Sequence, residues 1–376
     1  MDYNFTICHV STKENWRGGE QQLLYLFEQL AAGDVRQLVI TPVDSALSGK
    51  TILDGSPYLR TVSGSRFKPL LIWRIACKLK SLAKEYPTLI VHVHDSDAHT
   101  AAIISSAFMG AQFPVVVSRR VDFPVGRGLL SSFKYNHRSV KRIICVSEEV
   151  RRITGMSIRR KEVMCVIYDG IDTCRFENVA SGFFTRQYML PEDTPVVGNV
   201  AAIAPHKDYY TFVDTAGIIH RQNPAVRFFI IGNGPLEQQI IEYIESKSLS
   251  SVITLCGFLD PVEPALKSLQ VLLYTSKTEG LGSTIIDAYS AGVPVVCTTA
   301  GGIAEIAHHG ENALTAPPGD AKQLATHVMT LLESRELRGG LIQRARKYAQ
   351  GFSKEIMAQQ TLSCYTELCR STGNER

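Results

Sequence analysis

The chain has 376 residues, more than a single hydrophobic core usually holds, so two domains of ordinary size are expected. Hydrophobic residues make up 45% and charged residues 20% of the sequence, a composition typical of soluble globular proteins. No run approaches the roughly 18 consecutive apolar residues of a membrane-spanning helix, and the N-terminus lacks the basic-then-apolar order of a signal peptide. The nine cysteines are scattered, several inside apolar runs, which predicts a reducing cytoplasm without a disulfide framework or a CxxC metal site.

The net charge of +4 is unevenly divided along the chain. Residues 1–190 contain 25 Lys and Arg against 17 Asp and Glu, whereas the remainder contains 15 against 19. Residues 66–84 are predicted to form a basic amphipathic helix whose apolar side chains are Leu70, Leu71, Trp73, Ile75 and Leu79. Such a face suits an anionic membrane surface, or it is a solvated face on which Lys and Arg stems cover apolar groups. Nucleic acid is not expected as a partner, because no recognised binding motif accompanies the charges.

Apolar strands alternate with amphipathic helices through nearly the whole chain. A first series of strands is predicted at 5–10, 37–41, 88–94, 115–118, 142–146 and 163–167. A second series is predicted at 196–200, 227–231, 252–256, 271–274, 293–298 and near Ala313. This alternation predicts parallel sheets with helices on both sides, and the two series predict two α/β domains.

We expect an N-terminal domain over residues 1–178 and a C-terminal domain over 190–352, joined through the poorly periodic stretch near 169–195. A last helix over about 353–370 follows the second sheet and is expected to fold back over the first domain. Open parallel sheets bind ligands beyond the carboxyl ends of their strands. Two such sheets facing each other therefore predict a ligand in a cleft between the domains.

The segment 278–288 follows a predicted buried strand and opens a predicted helix, which Ser283 or Thr284 is expected to cap. The backbone N–H groups of Gly280, Leu281, Gly282 and Ser283 are expected to point out of the helix N-terminus. The helix dipole favours an anion there, so the turn predicts a phosphate ligand.

Two carboxylates flank this turn. Asp287 lies eight residues after Glu279, about two helical turns further on, so one ligand could touch both. The alternative is that Glu279 and Asp287 are solvated charges beside a strand-to-helix turn.

Other polar groups also fall just after predicted strands. Gly18 and Gly19 open a helix expected from Gln21 and let the backbone approach a ligand, although a tight turn without a ligand is the alternative. His94, at a strand end, could reach a sugar hydroxyl or receive a proton. Lys207 would bring a positive charge to a phosphate in the cleft.

Two further groups in these loops have competing interpretations. Arg119 and Arg120 are suited to a carboxylate or phosphate, or are solvated surface. The histidines at 92, 94 and 99, with the Asp95-Ser96-Asp97 pattern, also permit a metal site. No metal is favoured, because the histidines lack zinc-like spacing with Cys and because Asp97 and His99 could simply cap a helix. His92 is expected to be a buried histidine with its hydrogen bonds satisfied.

Together these residues resemble glycosyltransferase family 4, retaining enzymes with two Rossmann-like domains facing across a cleft in the GT-B fold. The resemblance is colinear and covers nearly the whole chain. It is carried by Gly18-Gly19, His92-Val93-His94, the segments 146–148 and 166–172, Val197-Gly198, Lys207-Asp208 and the segments 231–236, 256–258, 278–288 and 300–305.

The resemblance implies a metal-independent, hexosyl-type transferase that moves a sugar from a nucleotide-diphosphate donor, a UDP- or GDP-sugar, with retention at the anomeric carbon. No separate cofactor is implied. Glu279 would hold donor-sugar hydroxyls, Asp287 the ribose, and His94 would orient the sugar. Lys207 and the turn amides, with the Gly18-Gly19 loop opposite, would stabilise the departing diphosphate. No enzymic nucleophile is assigned.

Some positions depart from the family pattern. The second acidic residue of the E-x7-E motif is Asp287, one methylene shorter, and no Arg occurs between Gly198 and Pro205, so Lys207 acts alone or Arg17 assists it. Arg119 and Arg120 replace the residues usual after that strand, and we interpret them as acceptor-side.

The expected acceptor is a glycan or a lipid-linked molecule of cell-surface polysaccharide or lipopolysaccharide biosynthesis. The enzyme is expected in the cytoplasm, with a peripheral position on the inner membrane face as a further expectation. A nucleotide-sugar epimerase of the same fold and a non-catalytic nucleotide- or glycan-binding relative remain the alternatives.

Overall fold

A computed structural model describes residues 3–50, 58–63, 67–126 and 128–373 of the chain. It divides into two compact units. Unit 1 contains the residues up to Gly170 together with those from Lys354 onwards, and unit 2 contains Ile171–Ser353. All nine cysteines lie in the described ranges, and none of them forms a disulfide.

Unit 1 is built on a parallel sheet whose described part has seven strands in the order β3-β2-β1-β4-β5-β6-β7. The strands are β1 Thr6–Val10, β2 Gln37–Pro42, β3 Leu59–Val62, β4 Leu89–Val93, β5 Val115–Arg119, β6 Val140–Cys145 and β7 Met164–Val166. Strand β3 is absent from the predicted series, because its four residues form a partly exposed edge strand without an apolar run. The central strands β1 and β4 are fully buried, as the apolar runs predict.

Among the described residues, five helices connect these strands: α1 Gly18–Ala32, α2 Lys68–Glu85, α3 Ser96–Phe108, α4 Leu129–Asn136 and α5 Glu148–Gly155. Helix α1 begins three residues earlier than predicted, and residue 66 of the predicted basic helix lies outside the described residues. The crossovers through α2, α3 and α4 all move in one direction across the sheet, whereas α1 leads the other way. Since parallel crossovers are right-handed, α2, α3 and α4 form one layer and α1 lies on the opposite face.

Unit 2 is built on a second parallel sheet, whose described strands run in the order β10-β9-β8-β11-β12-β13. These are β8 Val196–Val200, β9 Arg227–Ile231, β10 Ile253–Gly257, β11 Val271–Tyr274, β12 Val295–Thr298 and β13 Leu314–Ala316. Its helices are α6 Phe183–Gln187, α7 Tyr209–Gln222, α8 Glu237–Ser246, α9 Glu263–Lys267, α10 Ser283–Ala291, α11 Ile303–Ile306, α12 Ala321–Glu333 and α13 Arg335–Ala349. The core of unit 2 is formed by buried aliphatic and aromatic side chains of this sheet and of α7, α8 and α12.

The last helix, α14, spans Lys354–Gly373 and packs against α1 in unit 1. Its side chains Met357, Ala358, Tyr365 and Leu368 join the core that α1 forms with the sheet. The final helix therefore belongs to the first unit, as the sequence predicts. Across the described ranges, no helix is both long enough and apolar enough to cross a bilayer.

Candidate functional site

In unit 2 the strand order reverses between β8 and β11. The chain moves from β8 outward to β9 and β10, then crosses back to place β11 on the other side of β8. Such a reversal leaves a crevice at the carboxyl ends of the two strands, because their loops diverge to opposite faces of the sheet. Lys207 lies in the loop after β8 and Glu279 in the loop after β11, so topology brings these two predicted residues together.

The Lys207 ammonium group contacts the Glu279 carboxylate directly, and both side chains are mostly buried. Lys207 Nζ also donates to the Tyr274 hydroxyl over 2.7 Å. That hydroxyl in turn donates to Glu279 Oε2 over 3.0 Å. Ser276 Oγ lies 3.3 Å from the same carboxylate oxygen. The lysine, glutamate and tyrosine therefore form one hydrogen-bonded group at the switch point.

The charges of this group reinforce one another. Burial alone would lower the pKa of Lys207, but its interactions with the Tyr274 hydroxyl and the Glu279 carboxylate more than offset this, so the lysine pKa lies above its ordinary value. Burial, followed by the Glu279 charge, raises the pKa of Tyr274 to about 12. Lys207 is consequently a cation and Tyr274 a neutral hydroxyl throughout the physiological pH range.

The Glu279 loop is held in place by close backbone packing against the loop after β12. Gly302 N donates to Glu279 O over 2.9 Å. A Cβ at Gly302 would lie 2.1 Å from Gly280 O, and one at Gly301, whose φ is +53°, would lie 2.4 Å from Glu279 O. Any side chain at these two positions would displace the loop that carries the carboxylate. The Ala300-Gly301-Gly302 segment thus fixes the position of Glu279.

Helix α10 begins at Ser283, after Gly282 in a left-handed conformation with φ +95°. The prediction that Ser283 or Thr284 caps the helix is wrong: Gly282 is the cap residue and no side chain caps the helix. Over the described ranges, the amides of residues 280–284 make no hydrogen bond to the protein. A helix start with unpaired N–H groups is able to accept an anion from outside the chain.

Asp287 lies on α10 beside a cation. Its Oδ1 is 3.5 Å from Arg175 Nη1, and the same guanidinium lies 2.9 Å from Glu263 Oε1. Burial raises the pKa of Asp287 to about 6; Arg175 opposes this rise, and the charges of Glu263 and Asp172 add to it. The Asp287 side chain is 19% exposed, so its carboxylate can still reach a ligand.

In unit 1 the strand order reverses between β1 and β4. Gly18 and Gly19 follow β1, and His94 directly follows β4, so both predicted features lie at the corresponding switch point. A Cβ on either glycine would meet nothing within 4 Å. The fold itself therefore does not require glycine at these positions. A ligand that approaches the backbone closely would require it.

A cavity of about 390 Å³ opens beside this point in unit 1. It is lined by Thr12, Lys13, Arg17, Lys68, Asp97 and neighbouring residues. Lys13 pairs with Asp97 at 3.6 Å, and Arg17 pairs with the buried Glu20 at 3.4 Å. The cavity thus carries both signs of charge.

His94 is held by a chain of buried hydrogen bonds. Gln37 donates its amide nitrogen to Phe27 O over 3.0 Å, so its Oε1 faces His9 Nε2 at 3.1 Å and accepts from it. A neutral His9 then has an unprotonated Nδ1, and His94 Nε2 must donate to it over 3.1 Å. Burial lowers the pKa of His9 to about 4 and that of His94 well below the usual range. His94 is therefore neutral, with its proton on Nε2.

The ring nitrogens of His9, His92 and His94 lie close enough together to hold one metal ion. Most of their ring nitrogens, however, make hydrogen bonds to protein groups. His92 Nδ1 is 2.5 Å from the Tyr365 hydroxyl and its Nε2 is 2.8 Å from Ser118 Oγ, while both His9 nitrogens belong to the chain just described. Within the described ranges, His94 Nδ1 is the nitrogen of these three rings that has no partner, and it is buried. These bonds engage five of the six ring nitrogens of the three histidines.

The Asp95-Ser96-Asp97 pattern also has a structural role. Asp95 caps α3 by accepting from the amides of Asp97 and Ala98, and it receives the amide and hydroxyl of Thr12 at 2.6 and 2.7 Å. The expectation that Asp97 or His99 caps this helix is wrong, because the cap is Asp95. Asp95 thereby ties the β1 loop to the β4 loop at the switch point.

The adjacent residues Arg119 and Arg120 have different surroundings. The Arg119 side chain is buried, donates to the Tyr135 hydroxyl over 3.3 Å and contacts the carbonyl oxygen of Phe123. Arg120 donates to Asp169 over 3.0 Å, and both side chains of this pair are mostly buried. Their acceptor-side role stays a prediction.

Two residues of the site were missed in the sequence. Tyr274 completes the buried strand run 271–274 and so reads as a core residue, although a polar hydroxyl at the last position of a strand was an available signal. His9 lies inside an apolar strand, and its link to His94 depends on the pairing of β1 with β4.

Two family models match consecutive parts of the chain. The Glycosyltransferase Family 4 model matches residues 16–175, and the Glycosyl transferases group 1 model matches residues 182–348. Fold, switch-point residues and both matches define a glycosyltransferase with two parallel-sheet domains, the GT-B class. The chain belongs to glycosyltransferase family 4.

Several proteins are similar to this chain over most of its length. The lipopolysaccharide core biosynthesis glycosyltransferase LpsE of Rhizobium meliloti is 25% identical over 345 residues, covering 90% of this chain and 93% of that protein. The alpha-D-kanosaminyltransferase of Streptomyces kanamyceticus is 26% identical, covering 89% and 88% respectively. Among solved structures, Anabaena HepE in complex with UDP and glucose superposes with a TM-score of 0.82 at 20% identity, covering 96% of this chain and 100% of that one.

Proposed function

We propose that this glycosyltransferase moves a hexosyl group from a nucleotide-diphosphate sugar to a glycan or lipid-linked acceptor, with retention at the anomeric carbon. The observation that carries the proposal is the buried Lys207–Tyr274–Glu279 group beside the unpaired amides of residues 280–284. This arrangement offers a cation and a helix N-terminus to a diphosphate and a carboxylate to sugar hydroxyls. HepE, which shares the fold, was solved with UDP-glucose, which supports a UDP-sugar as the donor to test first.

Each residue has a defined part in this proposal. Glu279 accepts hydrogen bonds from donor-sugar hydroxyls, and Lys207 moves from Glu279 to the diphosphate when the donor binds. The amides of Gly280, Leu281, Gly282 and Ser283 bind the same phosphates, which stabilises charge that grows as the sugar–phosphate bond breaks. Gly18 and Gly19 leave room for the donor.

The remaining parts concern the sugar, the ribose and the acceptor. The unprotonated His94 Nδ1 orients a hydroxyl of the donor sugar, and Asp287 accepts from the ribose. Arg119 and Arg120 serve the acceptor side. The acceptor oxygen bonds to the anomeric carbon on the face from which the phosphate leaves, and its proton passes to the leaving phosphate oxygen. Positive charge from Lys207 and the amides serves in place of a metal ion.

The proposed setting is cell-surface polysaccharide or lipopolysaccharide biosynthesis at the inner membrane face. Two similar proteins support it by name: LpsE is a lipopolysaccharide core glycosyltransferase, and WcaL of Salmonella typhimurium is a putative colanic acid glycosyltransferase. The basic and apolar outer helices of unit 1 are consistent with an acceptor at a membrane.

Thermal stability measured with UDP-, GDP- and ADP-sugars tests donor binding, since a ligand that binds the folded state stabilises it by mass action. A rise in melting temperature with one nucleotide is expected, and no rise with any at millimolar concentration would refute the proposal. NMR of the products then separates retention from inversion, and transfer from hydrolysis or epimerisation.

Two variants test the assigned roles. Glu279→Ala should lower turnover far more than nucleotide affinity, because its carboxylate acts on the sugar. Asp287→Ala should mainly weaken nucleotide binding, because its carboxylate acts on the ribose. Calorimetric titration with the nucleotide diphosphate and steady-state kinetics measure the two effects, and the reverse pattern would contradict the assignment.

A further inference from the structure

Helices α2, α3 and α4 in unit 1 expose six large apolar side chains. These are Leu70 (39% exposed), Trp73 (53%), Phe108 (76%), Leu129 (90%), Leu130 (85%) and Phe133 (47%). We call these six residues the apolar face. The three helices form one layer, and Phe108 and Phe133 link α3 to α4 with ring centroids 6.5 Å apart. Several large apolar side chains exposed on one helical layer indicate an interaction site.

These side chains are not needed by the core. Helix α2 already buries a separate stripe, which consists of Leu71, Ile75, Ala76, Leu79 and Leu82. Leu70 and Trp73 lie outside that stripe. Helix α4 buries Tyr135 as its core contact, while Leu129 and Leu130 are almost fully exposed. The apolar face therefore lies on the solvent side of the layer.

The charge around the apolar face is positive. The three helices carry the basic residues Lys68, Arg74, Lys78, Lys80, Lys84 and Lys134, against the acidic residues Glu85 and Asp97. Asp97 is already paired with Lys13 at 3.6 Å. Apolar side chains with a Trp, combined with an excess of lysine, match the interface of a bilayer that contains anionic lipid.

We propose that the apolar face docks the protein on an anionic lipid bilayer. Leu129 and Leu130 insert at the headgroup boundary together with Trp73, and the lysines of α2 contact the lipid phosphates. Helices α3 and α4 both begin at the carboxyl edge of the unit 1 sheet, which also carries His94 and Gly18-Gly19. A bilayer against these helices would therefore lie beside that edge, where a lipid-linked acceptor can remain in the membrane.

This inference rests on the proposed membrane-proximal acceptor, but vesicle binding needs no sugar nucleotide and tests it separately. The full chain is sedimented with vesicles of phosphatidylcholine alone and of phosphatidylcholine with 30% phosphatidylglycerol. Binding to the anionic vesicles only, weakened by salt, is expected because the lysines lose their attraction as screening increases. No binding to anionic vesicles at low salt would overturn the proposal.

Paired variants locate the binding surface. Leu129→Ser with Leu130→Ser, and separately Lys80→Glu with Lys84→Glu, should each lower the partition coefficient on the order of tenfold or more. The matched controls in unit 2 are Met189→Ser with Phe258→Ser and Lys322→Glu with Lys347→Glu, which alter exposed residues. These controls should bind vesicles like the unaltered chain, and an equal loss in the controls would overturn the proposal.

Two measurements separate this inference from its alternatives. Light scattering reports oligomeric state: if the unaltered chain is a dimer that Leu129→Ser with Leu130→Ser dissociates, the face binds a second copy and the proposal is wrong. Nucleotide binding by the same variant should be unchanged, since none of these residues belongs to the donor site. Loss of vesicle binding with intact nucleotide binding therefore supports the docking face, whereas absent nucleotide binding in every variant bears on the proposed function alone.

Discussion

The most direct test of the electrostatics in unit 2 is Asp287→Asn. Burial raises the pKa of the Asp287 carboxyl from 3.8 to about 6. That pKa difference means that the folded protein is about 3 kcal/mol less stable with Asp287 ionised than with Asp287 neutral. The asparagine variant keeps the shape of the neutral side chain and cannot ionise. It should therefore unfold less readily than the unaltered chain wherever Asp287 is charged.

The sign of the pH dependence follows from linkage. A raised carboxyl pKa means that the folded state binds the proton more tightly, so the stability that Asp287 contributes is present at low pH. It is lost as the pH rises from 3.8 through about 6. The difference in stability between Asp287→Asn and the unaltered chain should thus be about 1 kcal/mol near pH 4.5 and reach up to about 3 kcal/mol at pH 8.

Thermal unfolding followed by circular dichroism, without nucleotide, measures this difference. At roughly 2–4 °C per kcal/mol for a unit of this size, the melting temperatures should differ by up to about 10 °C at pH 8. Titration of the buried histidines contributes equally to both proteins and cancels. Glu245→Gln, at an exposed position on α8, is the control and should show no such pH-dependent difference. A difference that is the same at pH 4.5 and pH 8 would refute the reasoning.

Three further predictions concern the other parts of the site. Tyr274→Phe removes the hydroxyl between the buried lysine and glutamate, so unfolding free energy should fall by about 1–2 kcal/mol in denaturant titration and turnover by about tenfold; unchanged turnover would contradict a role for the hydroxyl. Gly19→Ala should leave the melting temperature unchanged yet weaken donor binding in calorimetry. Gly302→Ala should instead lower the melting temperature of unit 2, and an equal decrease in melting temperature for both variants would contradict this contrast. Nitrogen-15 NMR of labelled histidines should find the His94 proton on Nε2 at pH 7, and Gln37→Leu should remove that preference; a proton on Nδ1 in the unaltered chain would refute the relay.

The repeating strand–helix pattern was sufficient to predict two parallel sheets, because buried parallel strands are continuous apolar runs. Strand β3 was not predictable in the same way. It is a four-residue edge strand whose first three residues are partly or well exposed, so neither an apolar run nor an alternating pattern distinguishes it from a loop. Its position depends on pairing with β2, which is a long-range property of the folded sheet.

The candidate site likewise has features that could be predicted from the sequence and features that could not. The positions of Glu279 and Lys207 were predictable because each residue follows a strand, and the reversal between β8 and β11 brings their loops together. The cap of helix α10 at Gly282 was not predictable. Side-chain capping preferences favour Ser and Thr, whereas a left-handed glycine caps the helix without a side chain. The relay behind His94 depends on the register of two neighbouring strands and on the orientation of one amide, neither of which a single sequence encodes locally.

The return of α14 to unit 1 has a consequence for how the chain can be altered. Unit 2 is a continuous segment whose two ends are neighbours: Ile171 N donates to Phe352 O over 2.8 Å, and Ile171 also bridges Ser353. Topologically, the second unit is an insertion between two pieces of the first. A segment with adjacent ends can be exchanged for that of a relative without stretching either junction. Deleting the residues after Ser353, by contrast, would remove Tyr365 from the core of unit 1 and leave His92 without its hydroxyl partner.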